Sequence, residues 1–232
     1  MLYILDPNNP NEEFPPVEQA EQEPDGLLAI GGDLSTTRLL TAYRSGIFPW
    51  YNDDQPILWW SPDPRTVLYP DRLKVSRSLR KDIRNSDLTI TIDQAFADVI
   101  NACAAPRQKQ QDTWITHEMQ QAYLNLFHRG DAHSVEVWEQ EKLVGGLYGV
   151  AIGRVFFGES MFSHRNNASK IALLNLCEKL LAWGYGLIDC QVYSDHLKSL
   201  GAEEIKRSKF SQLLIEYCST QPHANSWQKE SS

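Results

Sequence analysis

The chain has no CxxC pair among its cysteines, no HExxH among its histidines and no apolar run approaching the roughly 20 residues that span a bilayer. The first two gaps leave a metal site without support, and the third gives no basis for a membrane association. The start, MLYILDPNNPNEEF, lacks the basic region and hydrophobic core of a secretion signal. Cys103, Cys177, Cys190 and Cys218, two of them in apolar stretches, therefore read as reduced thiols in a cytoplasm. Neither an internal repeat nor a low-complexity tract occurs. Positive charge is scarce as well: 22 Lys and Arg against 30 Asp and Glu give a net charge of -8, which argues against general affinity for nucleic acid. What remains is an ordinary soluble composition, 42% hydrophobic and 22% charged, in 232 residues that suffice for one large domain or two small ones.

The richest stretch is 143–192. It opens as LVGGLYGVAIGRVFFGESMFSH, nearly continuous in apolar residues except at Gly153 and Arg154, where a turn folds one strand onto the next. From Asn167 the spacing changes, and Ile171, Leu174, Cys177, Leu180 and Leu181 mark one face of a helix that Gly184 stops. A buried strand then resumes over 187–192, carrying Asp189 and Gln191 among apolar neighbours. An ionised Asp is costly to bury unless it is paired or hydrogen-bonded. Asp189 is thus either a satisfied structural carboxylate or part of a site.

Around this stretch the pattern predicts an extended segment with little regular structure over 1–24, a helix over 36–45 capped by Ser35, and a strand over 57–60. The segment 47–51 is too aromatic and Pro-broken for a regular element, and the Pro-fixed connector 61–65 marks a domain boundary. Further strands are expected over 66–69, 88–93 and 132–138. Helices are expected from Asp93, as cap, through Cys103, over 117–129 with Met119, Tyr123, Leu124 and Phe127 inward, and over 207–218. Residues from Thr220 onward read as frayed. Of Trp50, Trp59 and Trp60, two are expected in a small core, while one or more at a cleft mouth would stack on a base or side chain.

One local feature runs against the overall acidity. Residues 74–84 hold five cations, and a helix after Ser76 places Arg77, Arg80, Lys81 and Arg84 at three- and four-residue spacing. Such a stripe is either a solvated face or a phosphate tract.

The order strand, strand, strand, helix, strand across 132–192 resembles the core of the acyl-CoA N-acetyltransferase-like (GNAT) fold. Enzymes of that fold that use acetyl-CoA carry a Gly-rich loop at a helix N-terminus for the pyrophosphate, whereas here the position reads SHRNNASK (163–170), without glycine. Six longer motifs carry a more specific resemblance: PDGLLAIGGDL (24–34), GIFPW (46–50), LWWSPDPR (58–65), TWIT (113–116), GESMFS (158–163) and IDCQV (188–192). In this order they are similar to the bacterial leucyl/phenylalanyl-tRNA–protein transferases over all but the chain ends.

That resemblance implies an α+β protein, with a small N-terminal α/β domain over 1–64 and a GNAT-like catalytic domain over 65–232 built on a mixed β-sheet flanked by helices. It implies transfer of Leu or Phe, and less well Met, from aminoacyl-tRNA to proteins with N-terminal Arg or Lys, which marks them for degradation. Leu-tRNA, Phe-tRNA and those proteins are then the partners, a monomer is expected, and no cofactor is needed because the aminoacyl ester is already activated. An α-amino group titrates at roughly 7.7–8.0, so a carboxylate able to take its proton would help; the resemblance makes Asp189 the candidate, the alternative being that Asp189 only shapes the site electrostatically while the ribose hydroxyl of the tRNA relays the proton. Gln191 would orient it or hold the substrate carbonyl, and Glu159 would help bind substrate or the acceptor's positive end. Leu147, Phe157, Met161 and Ile188 would line the side-chain pocket. Tyr43, Trp50 and Trp114 would sit at the cleft, where the terminal adenosine is expected, and Lys74, Arg77, Arg80, Lys81 and Arg84 would meet the tRNA phosphates. The rival readings are an acetyl-CoA-dependent N-acetyltransferase and a non-catalytic RNA-binding module.

Overall fold

The computed structural model describes residues 2–105, 115–223 and 226–227. Two sheets form. The first contains β1 (Tyr3–Leu5), β2 (Leu27–Gly31), β3 (Phe48–Pro49) and β4 (Leu58–Trp60), in the spatial order β1-β2-β4-β3 with β1 parallel to β2. Helix α1 (Thr36–Arg44) joins β2 to β3 and starts as expected, with Ser35 Oγ accepting the Arg38 amide. Two expectations are corrected. The N-terminal segment contributes a strand, and it is fastened by Arg38, whose fully buried guanidinium donates to the carbonyls of Asp6, Asn9 and Glu12 and pairs with Asp33 at 3.0 Å. Phe48 and Pro49, read as irregular, pair with Trp60 and Trp59, because a proline is tolerated at a sheet edge.

The second sheet has seven strands: β5 (Arg65–Leu68), β6 (Leu88–Ile92), β7 (Ala132–Glu139), β8 (Lys142–Ile152), β9 (Val155–Ser163), β10 (Leu187–Gln191) and β11 (Glu203–Ile205). Their order is β11-β5-β10-β9-β8-β7-β6, and only β9 and β10 run parallel. The helices are α2 (Arg77–Arg84), α3 (Phe96–Ala104), α4 (His117–Arg129), α5 (Ala168–Ala182), α6 (Asp195–Ser199) and α7 (Arg207–Cys218). The succession strand, strand, strand, helix, strand on which the acyltransferase-like reading rested is therefore β7, β8, β9, α5, β10, and the class is α+β.

Both faces of this sheet are covered. Tyr148, Val150 and Phe157 point to a core shared with α3, α4, α7 and the first sheet, while Leu147, Phe156 and Ile188 point to a second core under α2 and α5. Adjacent residues thus serve opposite cores, as the two-residue period of a strand requires. The same double coverage explains why β7 is buried from Ala132 to Val137 instead of alternating.

Other local expectations change in detail. Asp93 does not cap α3. Its carboxylate accepts the Ser134 amide at 2.8 Å and pairs with His133 Nδ1 at 2.7 Å. In α5 the buried face is Ile171, Ala172, Leu173, Leu176, Cys177 and Leu180, and Leu181 is 46% exposed. In α4, Ala122 and Leu126 are buried beside Met119 and Tyr123, whereas Leu124 and Phe127 are only partly covered. Beyond Thr220, Trp227 is anchored: it stacks on His133 at 3.9 Å and donates to the Tyr185 hydroxyl at 2.7 Å. No helix among the described residues is long and apolar enough to cross a membrane.

Candidate active site

The parallel pairing of β9 and β10 runs from Leu187 with Val155 to Asp189 with Phe157 and stops there. Past it, β10 slips register against β5, and Gln191 takes a left-handed conformation at φ +55. A non-glycine residue is uncommon there, and such residues cluster at functional sites. The turn peels β10 away from Gly158, Glu159 and Ser160, and a cavity of about 450 Å³ opens in the gap. That is within the usual range for a small-molecule site.

Its depth is apolar, formed by Leu147, Phe156, Met161 and Ile188 from the sheet and by Leu173 and Leu176 from α5. Its polar groups gather at Glu159 and Gln191, and its mouth is flanked by Trp50, Val192, Ser194 and His196. Trp50 is 41% exposed, while Trp59 is fully buried and Trp60 braces the loop by donating its indole N–H to the Trp50 carbonyl at 2.7 Å.

Of the residues singled out from sequence, Glu159, Gln191, Trp50, Leu147, Met161 and Ile188 line this cavity. Tyr43, Phe157 and Asp189 are fully buried and do not line it. Phe157 packs on the Tyr43 ring at 5.0 Å, so it supports the wall from behind. Trp114 lies outside the described residues. Lys74, Arg77, Arg80, Lys81 and Arg84 are all exposed, and none lines the cavity.

Glu159 is the carboxylate that meets the cavity. Oε1 accepts the Tyr43 hydroxyl at 2.8 Å and Gln191 Nε2 at 3.3 Å, and Oε2 accepts the Tyr123 hydroxyl at 2.6 Å. The two phenols are themselves 2.5 Å apart. Burial pushes the Glu159 carboxyl up from 4.5 to about 7; the tyrosine hydrogen bonds oppose the rise, nearby Asp189 adds to it, and Arg65 offsets part of it. Burial also raises Tyr43 and Tyr123 well above the usual phenol range, with the Glu159 charge adding to it, so both remain donors.

Asp189 is occupied from behind. Arg65 Nε and Nη2 donate to its two oxygens at 2.8 and 2.7 Å, and the Gln191 amide donates to Oδ1 at 3.0 Å. Arg65 also donates to the Gly46 carbonyl at 3.1 Å, and its guanidinium lies 4.7 Å from each of the Phe48 and Phe210 rings. The pair is fully desolvated, and its bidentate geometry is the kind that offsets burial. Sequence reasoning missed Arg65, which lay inside a motif read as a connector, and Tyr123, which was counted only as an apolar helix residue.

One chemical route is disfavoured by these surroundings. Cys190 lines the cavity, but burial raises its thiol, which opposes use as a thiolate nucleophile. Among the described residues no group of three or more His, Cys, Asp or Glu is placed to hold a metal ion. The arrangement suits an apolar acyl side chain in the depth and proton transfer at its polar lip.

Comparison with known proteins matches residues 67–215 to the leucyl/phenylalanyl-tRNA protein transferase family and residues 32–63 to the N-terminal domain of that family. Relatives 55–61% identical to the chain carry the name leucyl/phenylalanyl-tRNA–protein transferase. The one from Pseudomonas syringae pv. syringae is 57% identical over 95% of this chain and 96% of its own. That from Methylococcus capsulatus is 55% identical over 98% and 97%, and that from Nitrosomonas europaea 61% identical over 87% and 85%. Among solved structures, a GCN5-related N-acetyltransferase from Kribbella flavida aligns with a TM-score of 0.37 and 11% identity over 71% of this chain and 58% of its own. The C-terminal domain of a putative lysylphosphatidylglycerol synthetase from Agrobacterium fabrum gives a TM-score of 0.40 and 11% identity over 79% and 59%. Likenesses that loose bear on nothing further. The family matches span most of the chain and these relatives 87% or more of it; the chain belongs to the leucyl/phenylalanyl-tRNA protein transferase family.

Proposed function

We propose that the protein transfers a leucyl or phenylalanyl group, and less well a methionyl group, from the 3′ end of aminoacyl-tRNA to the α-amino group of proteins that begin with Arg or Lys, marking them for degradation. The observation that carries this reading is an apolar cavity whose polar lip holds one half-buried carboxylate with a pKa near neutrality. The apolar depth suits a leucyl, phenylalanyl or methionyl side chain. Each methylene is worth only about 1–3 kcal/mol of discrimination, so methionyl leaks through.

In the reaction the acceptor's neutral nitrogen attacks the ester carbonyl carbon and forms the amide C–N bond, while the ester C–O bond to the ribose breaks. The nitrogen's proton passes to Glu159 and from there to the departing ribose oxygen, so no net proton is taken up. A base with a pKa near the working pH suits this relay. Tyr43 and Tyr123 hold the Glu159 carboxylate in place, and Gln191 aligns it from the cavity wall. Of the two roles left open for Asp189, base or electrostatic support, it takes the second, fixing the Gln191 backbone through its amide. Trp50 offers its exposed face to the terminal adenine, and base stacking on an aromatic is worth about 1–3 kcal/mol. The basic face of α2 meets the tRNA phosphates. The acidity of the whole suits an acceptor with a basic head.

The reading extends to a chain divided near residue 64, acting as a monomer in a reducing cytoplasm, where its four cysteines stay free. The test is to mix the protein with labelled Leu-tRNA and a peptide beginning in Arg. Label is expected in the peptide and not in one beginning with an acidic residue. Label that stays on the tRNA overturns the proposal.

A further inference from the structure

Helix α2 lies alongside α5. Leu79 is buried in the core that holds the inner face of α5, and Arg80, Arg84, Leu174 and Glu178 line a groove between the two helices. At the start of α5 the contact becomes polar. Asp82, the one acid in α2, accepts Asn167 Nδ2 at 3.1 Å and pairs with Arg165 Nη2 at 3.6 Å. With its acid turned inward, α2 keeps Arg77, Arg80, Lys81 and Arg84 exposed.

Residues on a helix advance by about 100°, so Lys170 falls between Leu173, which lines the cavity, and Leu174, which lines the α2 groove. It is half-buried, and among the described residues it has no carboxylate partner. His196 lines the cavity mouth from α6. Burial and the charge of nearby Lys170 hold its imidazole below the ordinary range. Asp195, its neighbour, accepts the Tyr193 hydroxyl at 2.7 Å.

We infer that Lys170 and His196 complete a basic track from α2 to the cavity mouth and hold the last phosphodiester of the RNA donor, the one joined to the terminal nucleoside. The inference rests on the transfer reaction proposed above. Its chemistry follows from the substrate. The reacting ester and that phosphate sit on the same ribose, so when the ester reaches Glu159 the phosphate lies within a nucleoside's length of it. A half-buried ammonium without a carboxylate partner beside an imidazole N–H is suited to such an anion.

The experiment pairs a change in the protein with a change in the RNA. Leu-tRNA is prepared with its last linkage either natural or replaced by an uncharged methylphosphonate, and KM for transfer to an Arg-headed peptide is measured with wild type, Lys170→Gln, Lys170→Arg and His196→Asn. The neutral linkage is expected to raise KM about tenfold for wild type, the scale of one hydrogen bond to a charged group, and for Lys170→Arg. With Lys170→Gln the same change is expected to have little further effect. Wild type indifferent to the linkage overturns the inference even if a variant fails to fold, and so does a full penalty in Lys170→Gln. No transfer by wild type from natural Leu-tRNA would instead overturn the parent reading.

Discussion

Glu159 carries its proton at a pH where an ordinary glutamate has lost it. Its carboxyl sits near 7 because burial disfavours the charged form more than two tyrosine donors restore it. Acting as proton acceptor, it works only when ionised, so kcat/KM should rise with pH through about 7. Glu159→Gln should lose that limb and about 10²–10³ in rate, while Asp189→Asn, which disturbs positioning, should lower the rate and keep the limb. A limb that persists in Glu159→Gln would remove this residue from the proton path. The stability linkage has a related sign: folding holds the proton that the unfolded glutamate gives up, so this group favours the fold below 4.5 and less as pH rises through about 7. Sequence could flag Glu159, Asp189 and Gln191 as polar groups in apolar strands. It could not say which carboxylate meets the cavity, because that depends on Arg65, 124 positions from Asp189 in the chain.

At the scale of elements, the decisive one is β10, and its decisive residue is the last. A two-residue period puts Asp189 and Gln191 on one face, yet the left-handed turn at Gln191 sends its side chain to Glu159 while Asp189 stays with Arg65. No pattern of residue types announces such a bend. Helix α2 was easier to read. Ser76 caps it, with Oγ accepting the Leu79 amide at 3.1 Å, and its charges repeat at helical spacing. Replacing Arg80 and Lys81 together with Ala should weaken tRNA binding and flatten the plot of log affinity against log salt by about 2, near 1 per lost phosphate contact. An unchanged slope would make the stripe a solvated face. The helix α5 shows the limit of periodicity: apolar residues at three- and four-residue spacing fit two overlapping faces, and the neighbours choose between them.

At the scale of the molecule, Arg65 stands where everything meets. Its guanidinium binds Asp189 of β10 and the Gly46 carbonyl between α1 and β3, between one ring from the first sheet and one from α7. Leaving either charge buried without the other should cost about 3–5 kcal/mol. Urea unfolding of Arg65→Ala or Asp189→Ala should show that loss, whereas the double variant should lose less than the sum. Additive losses would mean the two charges are not coupled. Most helices and strands were legible because periodicity and caps are local signals, while the α+β class came with the family resemblance. The strand at 3–5, the anchored Trp227 and the Arg65 junction were not, since each depends on partners far along the chain.

One face of Arg65 is covered by Phe210, eight residues before the end of α7. Taking α7 away would let water reach the Arg65–Asp189 pair and loosen the support beneath Gln191.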